Sequence, residues 1–325
     1  MVRYDLQLIK PWANENKDGV VLFTMVKNEA YLLPHFFDHY RHLGVNRFLI
    51  YDDKSSDSSL DILSKQDDCM VLTSENNYND EVKPRSEKYP PIRWCGYIKA
   101  KLPALVAPDG WTLTVDADEF LILPKGFEHI NHLIEELELR GLNHMTAPMV
   151  DFYPSSLFSR NYDSRLSPFV GSPYFDSGPL YGWKDRVRPK QFANGIRARL
   201  LKEFYKDDRE AVMEIYGDHP ISLAKTWKVP LLKQGCGVFL VNEHEINKVP
   251  DLEIAGALAH FKFTPSLDEK TRHALRTGSY YNGSLEYRFL YAVMEKYKHR
   301  SLLSNMSRIF TGAESLVEAD LLTVL

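Results

Sequence analysis

The chain has 325 residues, 44% of them hydrophobic and 26% charged, with 40 Lys and Arg against 44 Asp and Glu. This composition excludes a disordered, collagenous or coiled-coil chain and suffices for one large domain or two smaller ones. The net charge of −4 argues against a whole-chain nucleic-acid binder. Cys69, Cys95 and Cys236 form no CxxC pair, which argues against a disulfide frame or a zinc site.

In chain order, residues 20–26 are a continuous apolar run of strand length, as in a strand covered on both faces. Asn28 and Glu29 can open the following helix as N-cap and first-turn acid. Its apolar face is Leu33, Phe36, Phe37 and Tyr40, and Gly44 closes it. A second strand is predicted over 47–51, a short helix after Asp57, a third strand over 70–73 and a loop over 75–90. Residues 92–106 are helical in part, and 111–115 form a strand that ends on Asp116, Ala117, Asp118 and Glu119. This strand–helix alternation implies a largely parallel α/β sheet with helices on both faces. Ligands of such sheets sit at the carboxyl ends of the strands, where Asn28, Asp52, Asp53, Asp116 and Asp118 are predicted to gather.

Beyond Asp118 the pattern predicts a helix over 127–140, a strand over 144–150, an irregular segment over 151–195, a strand over 238–241 and a helix over 284–298. No run near the roughly 20 apolar residues of a membrane span is present, and residues 1–11 lack the apolar core of a signal peptide. A cytoplasmic location is expected, with peripheral contact to the inner face of a membrane left open by the amphipathic stretch Leu302, Leu303, Met306, Ile309 and Phe310. Packing on the domain is the default for that stretch.

The acidic triplet carries the most chemistry. Residues i and i+2 of a strand point to one side, so Asp116 and Asp118 are expected to project together and repel unless a divalent cation joins them. Such a cation can also hold a diphosphate. His260, in the apolar stretch ALAHFKF, is either a core histidine or a ligand for an ion such as Mn²⁺. Residues 184–206 hold eight basic residues against two acidic ones, and Arg93, Lys99 and Lys101 form a smaller group. Arginine forks suit phosphate oxygens, so an anionic ligand is expected nearby. No Walker-type or dinucleotide glycine motif, no HExxH and no GxSxG is present.

The stretches VVLFTMVKNEA (20–30), FLIYDDKSSDSS (48–59) and TVDADEFL (114–121) resemble the core of family-2-type glycosyltransferases of the GT-A fold, and most closely the bacterial glycosyltransferase-2-like subgroup with a D-x-D-E-F signature. NGIRARL (194–200), TWKVPLL (226–232) and LAHFK (258–262) resemble the same subgroup. The resemblance implies a GT-A domain over 1–265, with a nucleotide-sugar half at 18–123, a smaller acceptor-side half at 124–265, and a helical extension over 266–325. It implies a nucleoside diphosphate sugar donor, UDP-linked, with Asn28 and Glu29 beside the nucleoside and Asp53 accepting from the base. Asp116 would approach the ribose or act through the metal's water, Asp118 would bind Mn²⁺ or Mg²⁺ directly, and His260 would be the third ligand. Inverting members need a carboxylate to deprotonate the acceptor hydroxyl. Glu243 is the first candidate, supported by His244, and Asp151 the second. Tyr174, Tyr181 and Trp183 are candidates for an acceptor platform. The expected activity is sugar transfer to a hydroxyl of a glycan or glycolipid in surface polysaccharide or lipopolysaccharide synthesis. The competing readings are a sugar nucleotidyltransferase, disfavoured by the missing Gly-rich basic loop after the first strand, and a non-catalytic nucleotide- or glycan-binding protein.

Overall fold

The computed structural model describes residues 6–13, 19–82, 92–157, 165–178, 181–184, 188–191, 195–217 and 226–322. Arg186 and Asn194 lie outside the described residues. The elements are, in order, β1 (Leu6–Lys10), β2 (Val21–Val26), α1 (Leu33–His42), β3 (Arg47–Asp52), α2 (Ser59–Ser64), β4 (Cys69–Ser74), β5 (Glu81–Val82), β6 (Ile92–Arg93), α3 (Trp94–Val106), β7 (Trp111–Thr114), β8 (Glu119–Ile122) and α4 (Ile130–Leu139). There follow β9 (His144–Tyr153), α5 (Pro168–Gly171), β10 (Tyr174–Asp176), β11 (Tyr181–Lys184), β12 (Arg188–Gln191), α6 (Ile196–Asp207), α7 (Arg209–Tyr216), β13 (Trp227–Lys233), β14 (Ala257–His260), α8 (Leu267–Thr277), α9 (Tyr281–Lys296), β15 (Ser307–Ile309) and α10 (Ala313–Val317). The chain is α/β and forms two compact units. The first comprises Met1–Ala147 with Lys228–Gly256, and the second Pro148–Trp227 with Ala257–Val324.

In the first unit the strands run in the order β1-β4-β3-β2-β7-β13. The pairs β4–β3, β3–β2 and β2–β7 are parallel, while β1 joins β4 and β13 joins β7 antiparallel. The four parallel strands, β2, β3, β4 and β7 in sequence, therefore lie in the spatial order third, second, first, fourth. That order has its switch point between β2 and β7, where doubly wound sheets open a crevice at the strands' carboxyl ends. The helix α1 buries Leu33, Phe36, Phe37 and Tyr40, as its periodicity predicts. On α3 the residues Trp94, Cys95, Ile98 and Leu102 pack against Val21, Phe23, Met25, Leu49 and Tyr51.

Local differences from the sequence reading have physical causes. Asn28 is not an N-cap. It sits in the left-handed region at φ 57°, which Asn tolerates better than most residues, and α1 begins only at Leu33. The strand before the acidic triplet stops at Thr114, and the Glu119 N–H donates to the Asp116 carbonyl at 3.0 Å. Residues 116–119 thus make a tight turn, so the strand alternation expected to aim Asp116 and Asp118 to one side does not apply. The strand expected at 238–241 is reduced to an isolated bridge between Leu240 and Ile246.

In the second unit β9 pairs parallel with β14 and antiparallel with β10, which pairs with β15. The segment expected to be irregular over 151–195 contains the end of β9 and the short elements α5 to β12. Residues 266–322 belong to this unit: α8 and α9 join α6 and α7 around a core that includes Leu200, Phe204, Leu267, Phe289 and Val293. Leu302 is buried and Phe310 lies against Phe169 at 5.1 Å, while Leu303, Met306 and Ile309 are exposed, so the amphipathic stretch at 302–310 is packed only in part. Among the described residues no helix is long and apolar enough to cross a membrane.

Gly44 is constrained twice. Its φ is +92°, and a Cβ there would lie 2.0 Å from Nε2 of His129. Gly44→Ala is expected to destabilise the fold by about 3 kcal/mol. Chemical denaturation should show part of that loss recovered in the Gly44→Ala/His129→Ala pair, since the second change removes the clash and leaves the backbone strain.

Candidate functional site

The carboxyl ends of β2 and β3 are tied into one rim. The Asn28 side chain accepts the Ser56 N–H at 2.7 Å, and the Asn28 N–H donates to Ser55 Oγ at 3.0 Å. The Glu29 N–H donates to Ser59 Oγ at 2.9 Å. Asn28 and Glu29 thereby latch the β3–α2 loop against the end of β2. Asp53 closes the same rim, its N–H donating to the Val26 carbonyl at 2.8 Å and its Oδ2 pairing with Lys27 at 2.9 Å. Oδ1 of Asp52 and Oδ1 of Asp53 are buried with no hydrogen-bond partner among the described residues. Burial pushes both carboxyls up, and at Asp53 it outweighs the Lys27 ammonium.

The next rim position is the turn after β7. Asp116 Oδ1 lies 2.6 Å from Lys99 Nζ, and its Oδ2 lies 2.6 Å from Lys228 Nζ. Lys228 also pairs with Glu119 at 2.6 Å, and Lys99 with Glu243 at 3.4 Å. The Asp116 N–H donates to Glu119 Oε2 at 2.9 Å, and the Tyr78 hydroxyl donates to Glu243 Oε1 at 3.4 Å. Glu243 sits on a loop held by Asn242, whose Oδ1 accepts the backbone N–H groups of His244 and Glu245. The two lysines are only 3% and 4% exposed. Burial alone would discharge them, but Asp116 with Glu243, and Asp116 with Glu119, outweigh it and hold both ammonium groups above their ordinary range. Burial would likewise raise Asp116 and Glu243, yet the lysines keep Asp116 well below and Glu243 below the usual carboxylate range. Asp116, Glu243 and both lysines are therefore ionised at neutral pH, and with Glu119 three carboxyl groups face two ammonium groups. Each ammonium has three N–H donors and faces two of these acids, which leaves each one donor not taken up by them.

This geometry does not fit Asp116 as a metal ligand, because both of its oxygens already face ammonium groups. Asp118 is half-buried in the same turn. Among the described residues no group of three or more His, Cys, Asp or Glu side chains is placed to hold a metal ion. Arg93 pairs through its backbone with Glu81 and stands at the start of α3.

In the second unit the parallel register sets His260 beside Asp151. Their side chains meet at 2.6 Å between His260 Nδ1 and Asp151 Oδ1, and Arg197 Nε reaches Asp151 Oδ2 at 2.7 Å. Arg197 also pairs with Glu286 at 2.7 Å, which faces Lys262 at 3.6 Å. Burial would raise Asp151, but Arg197 and His260 outweigh it and hold the carboxyl at about 2. A carboxylate so held accepts the Nδ1 proton, which fixes the imidazole tautomer. Asp151 is therefore a positioning group for His260, with both oxygens engaged, and does not have the free oxygen a base requires. Tyr174 is half-buried beside Tyr153, while Tyr181 and Trp183 lie on β11.

Sequence reasoning missed Lys99 and Lys228 as partners of Asp116, and Glu119 as the turn's own brace. Two signals were available. Lys228 is the only charged residue between Thr226 and Leu232, and the β13–β7 register, Leu231↔Leu113, continued along both strands brings Lys228 alongside Asp116. Lys99 stands among Cys95, Ile98 and Leu102 on the buried side of α3. No protein-family model matches the sequence, and no curated protein matches it.

Two outcomes follow. Lys228→Met leaves Glu119, which is 0% exposed, without its ammonium, and is expected to cost about 3–5 kcal/mol of stability by chemical denaturation. Asp151 has a folded pKa depressed from 3.8 to about 2, so its stabilisation is full above the unfolded value and is lost as pH falls through about 2. Between roughly pH 5 and pH 2 the wild type should lose about 2 kcal/mol more than Asp151→Asn, read as unfolding free energy against pH.

Proposed function

We propose that the chain is a GT-A-type glycosyltransferase that moves a sugar from a nucleoside diphosphate, UDP in the first instance, to a hydroxyl of a glycan or glycolipid in surface polysaccharide synthesis. The observation that carries this reading is Asp53: a buried carboxylate at the end of β3, beside the switch-point strand, with one oxygen on Lys27 and the other lacking a donor among the described residues. A nucleobase N–H supplies such a donor, and a buried acceptor without one costs about 1–3 kcal/mol. The latch made by Asn28 and the serines at 55 and 56 holds the loop that frames this position.

The chemistry assigned to the charged turn uses only groups of this chain. Glu243, kept ionised by Lys99, accepts the proton of the acceptor hydroxyl as that oxygen attacks the anomeric carbon. The bond from that carbon to the diphosphate oxygen breaks as the new one forms, with inversion. Lys228 directs its remaining N–H to the diphosphate and stabilises the charge that develops there. Because Asp116 is taken up by the two lysines, no step is assigned to Mn²⁺ or Mg²⁺.

A panel of nucleoside diphosphate sugars, assayed for nucleoside diphosphate release with Mn²⁺ and again in chelator, tests the reading. Asp53→Ala is expected to raise KM by roughly 10- to 100-fold with kcat little changed, the cost of a nucleobase N–H left without its acceptor. Glu243→Gln is expected to lower kcat at least about 100-fold with little change in KM. If no member of the panel is bound or consumed, the assignment fails; binding without consumption would point instead to a non-catalytic nucleotide-binding protein.

A further inference from the structure

The chain between α9 and α10 is fastened to the second unit at two points. Leu302 is 1% exposed, and its N–H donates to the Ser155 carbonyl at 2.8 Å. Phe310 lies 5.1 Å from Phe169 and 5.2 Å from Phe152, and its N–H donates to the Pro173 carbonyl at 2.8 Å. Between these anchors the backbone makes a tight turn, with the Ser307 N–H on the Ser304 carbonyl at 3.1 Å. Two serines brace it: Ser304 Oγ accepts the Met306 N–H at 3.2 Å, and Ser307 Oγ accepts the Ser304 N–H at 2.8 Å.

This braced turn nevertheless exposes three large apolar side chains, Leu303 at 40%, Met306 at 38% and Ile309 at 56%. Single exposed apolar residues are ordinary. Three within seven residues are a concentration of the kind that marks an interaction surface. Cations accompany them: residues 298–310 contain Lys298, Arg300 and Arg308 and no Asp or Glu. Arg300 pairs with Glu203 at 2.9 Å. Arg308 makes no ion pair among the described residues, and its Nη1 donates to the carbonyls of Asn305 and Ser307 at 3.0 and 2.9 Å. An exposed guanidinium is thus held in place by the same turn that presents Met306.

We propose that this turn docks the protein on an anionic lipid bilayer, with Leu303, Met306 and Ile309 at the acyl boundary and Lys298 and Arg308 at the level of the lipid phosphates. Apolar burial and attraction to anionic lipids together hold a peripheral segment in a membrane interface. A soluble anion would meet the cations and leave the apolar side chains in water. A second copy of the chain fits less well. β15 is the last strand of its sheet among the described residues, and two such strands paired antiparallel about their centres would set Arg308 against Arg308, which is destabilising. The chain as a whole carries −4, so the attraction to lipid is local to the turn and is screened by salt.

Co-sedimentation of the full chain with vesicles tests this, using phosphatidylcholine alone and equal parts of phosphatidylcholine and phosphatidylglycerol. Binding is measured without nucleotide, so the outcome is independent of the enzymatic reading. The wild type is expected to bind only the second kind and to be released as salt rises. Leu303→Ser/Met306→Ser/Ile309→Thr should weaken that binding roughly 100-fold, and Lys298→Gln/Arg308→Gln roughly 25-fold, at about fivefold for each basic residue. Lys65→Gln/Lys125→Gln makes the same change in net charge elsewhere and should leave binding unchanged. Circular dichroism of each variant separates loss of fold from loss of docking. Wild-type binding by either folded turn variant, equal loss in the control, or no preference for the anionic vesicles would overturn the proposal. So would a dimer in sedimentation velocity that the apolar substitutions return to monomer.

Discussion

The first unit depends on one carboxylate held between two ammonium groups. Asp116 lies at the end of β7, Lys99 on the preceding helix α3 and Lys228 on the distant strand β13, so three elements meet on a single side chain. Removing an ammonium from water costs several kcal/mol, and only well-placed acids return it. Lys99 and Lys228 are therefore fixed where Asp116, Glu119 and Glu243 can meet them. That requirement fixes in turn the tight turn after β7, the seating of β13 and the approach of the Glu243 loop. The same requirement removes Asp116 from the role of metal ligand, which the isolated D-x-D spacing had suggested.

The second unit applies the same device with a different balance. Asp151 also has one positive or proton-donating partner on each oxygen, His260 and Arg197. There Arg197 and Lys262 stand against Asp151 and Glu286, and His260 is the further partner of Asp151. Around Asp116 the carboxylates exceed the ammonium groups, and donor capacity remains on the lysines. A balanced cluster holds strands in register, as His260 and Asp151 hold β14 to β9. An unbalanced one with spare donors can change partners when a substrate arrives, which is why the proposed chemistry is placed on the first cluster.

What was legible in the sequence was what periodicity and strand ends encode. The apolar run at 20–26, the face Leu33, Phe36, Phe37 and Tyr40, and the polar strand ends at Asn28, Asp53 and Asp116 all stand where the pattern puts them. What was not legible lay in pairings across long separations. Lys228 reaches Asp116 over 112 positions and His260 reaches Asp151 over 109; Lys228 stands out as the lone charge of its stretch, but no local pattern names the partner in either pair. The turn at 116–119 was missed for a different reason. It is set by a backbone bond from Glu119 to Asp116 and by the Glu119 side chain returning to the Asp116 N–H, so an acid that looks like part of a ligand cluster is in fact the brace of the turn.

The adjacent carboxylates of Asp52 and Asp53 complete the physical picture. Folded proteins rarely leave a buried acceptor unmet, yet here two neighbouring residues each keep one such oxygen at the same strand end. The fold bears that cost together with the like-charge repulsion between the two acids, which acts in the same direction as burial on Asp53. Packing does not explain it, because an apolar residue at either position would remove the cost. A ligand that brings an N–H to the rim does explain it, since the energy withheld in the free protein is then returned on binding. Stability and affinity are linked through the same oxygen: a nucleotide that met Asp53 in the folded chain alone would raise the unfolding temperature by an amount that grows with its concentration relative to Kd.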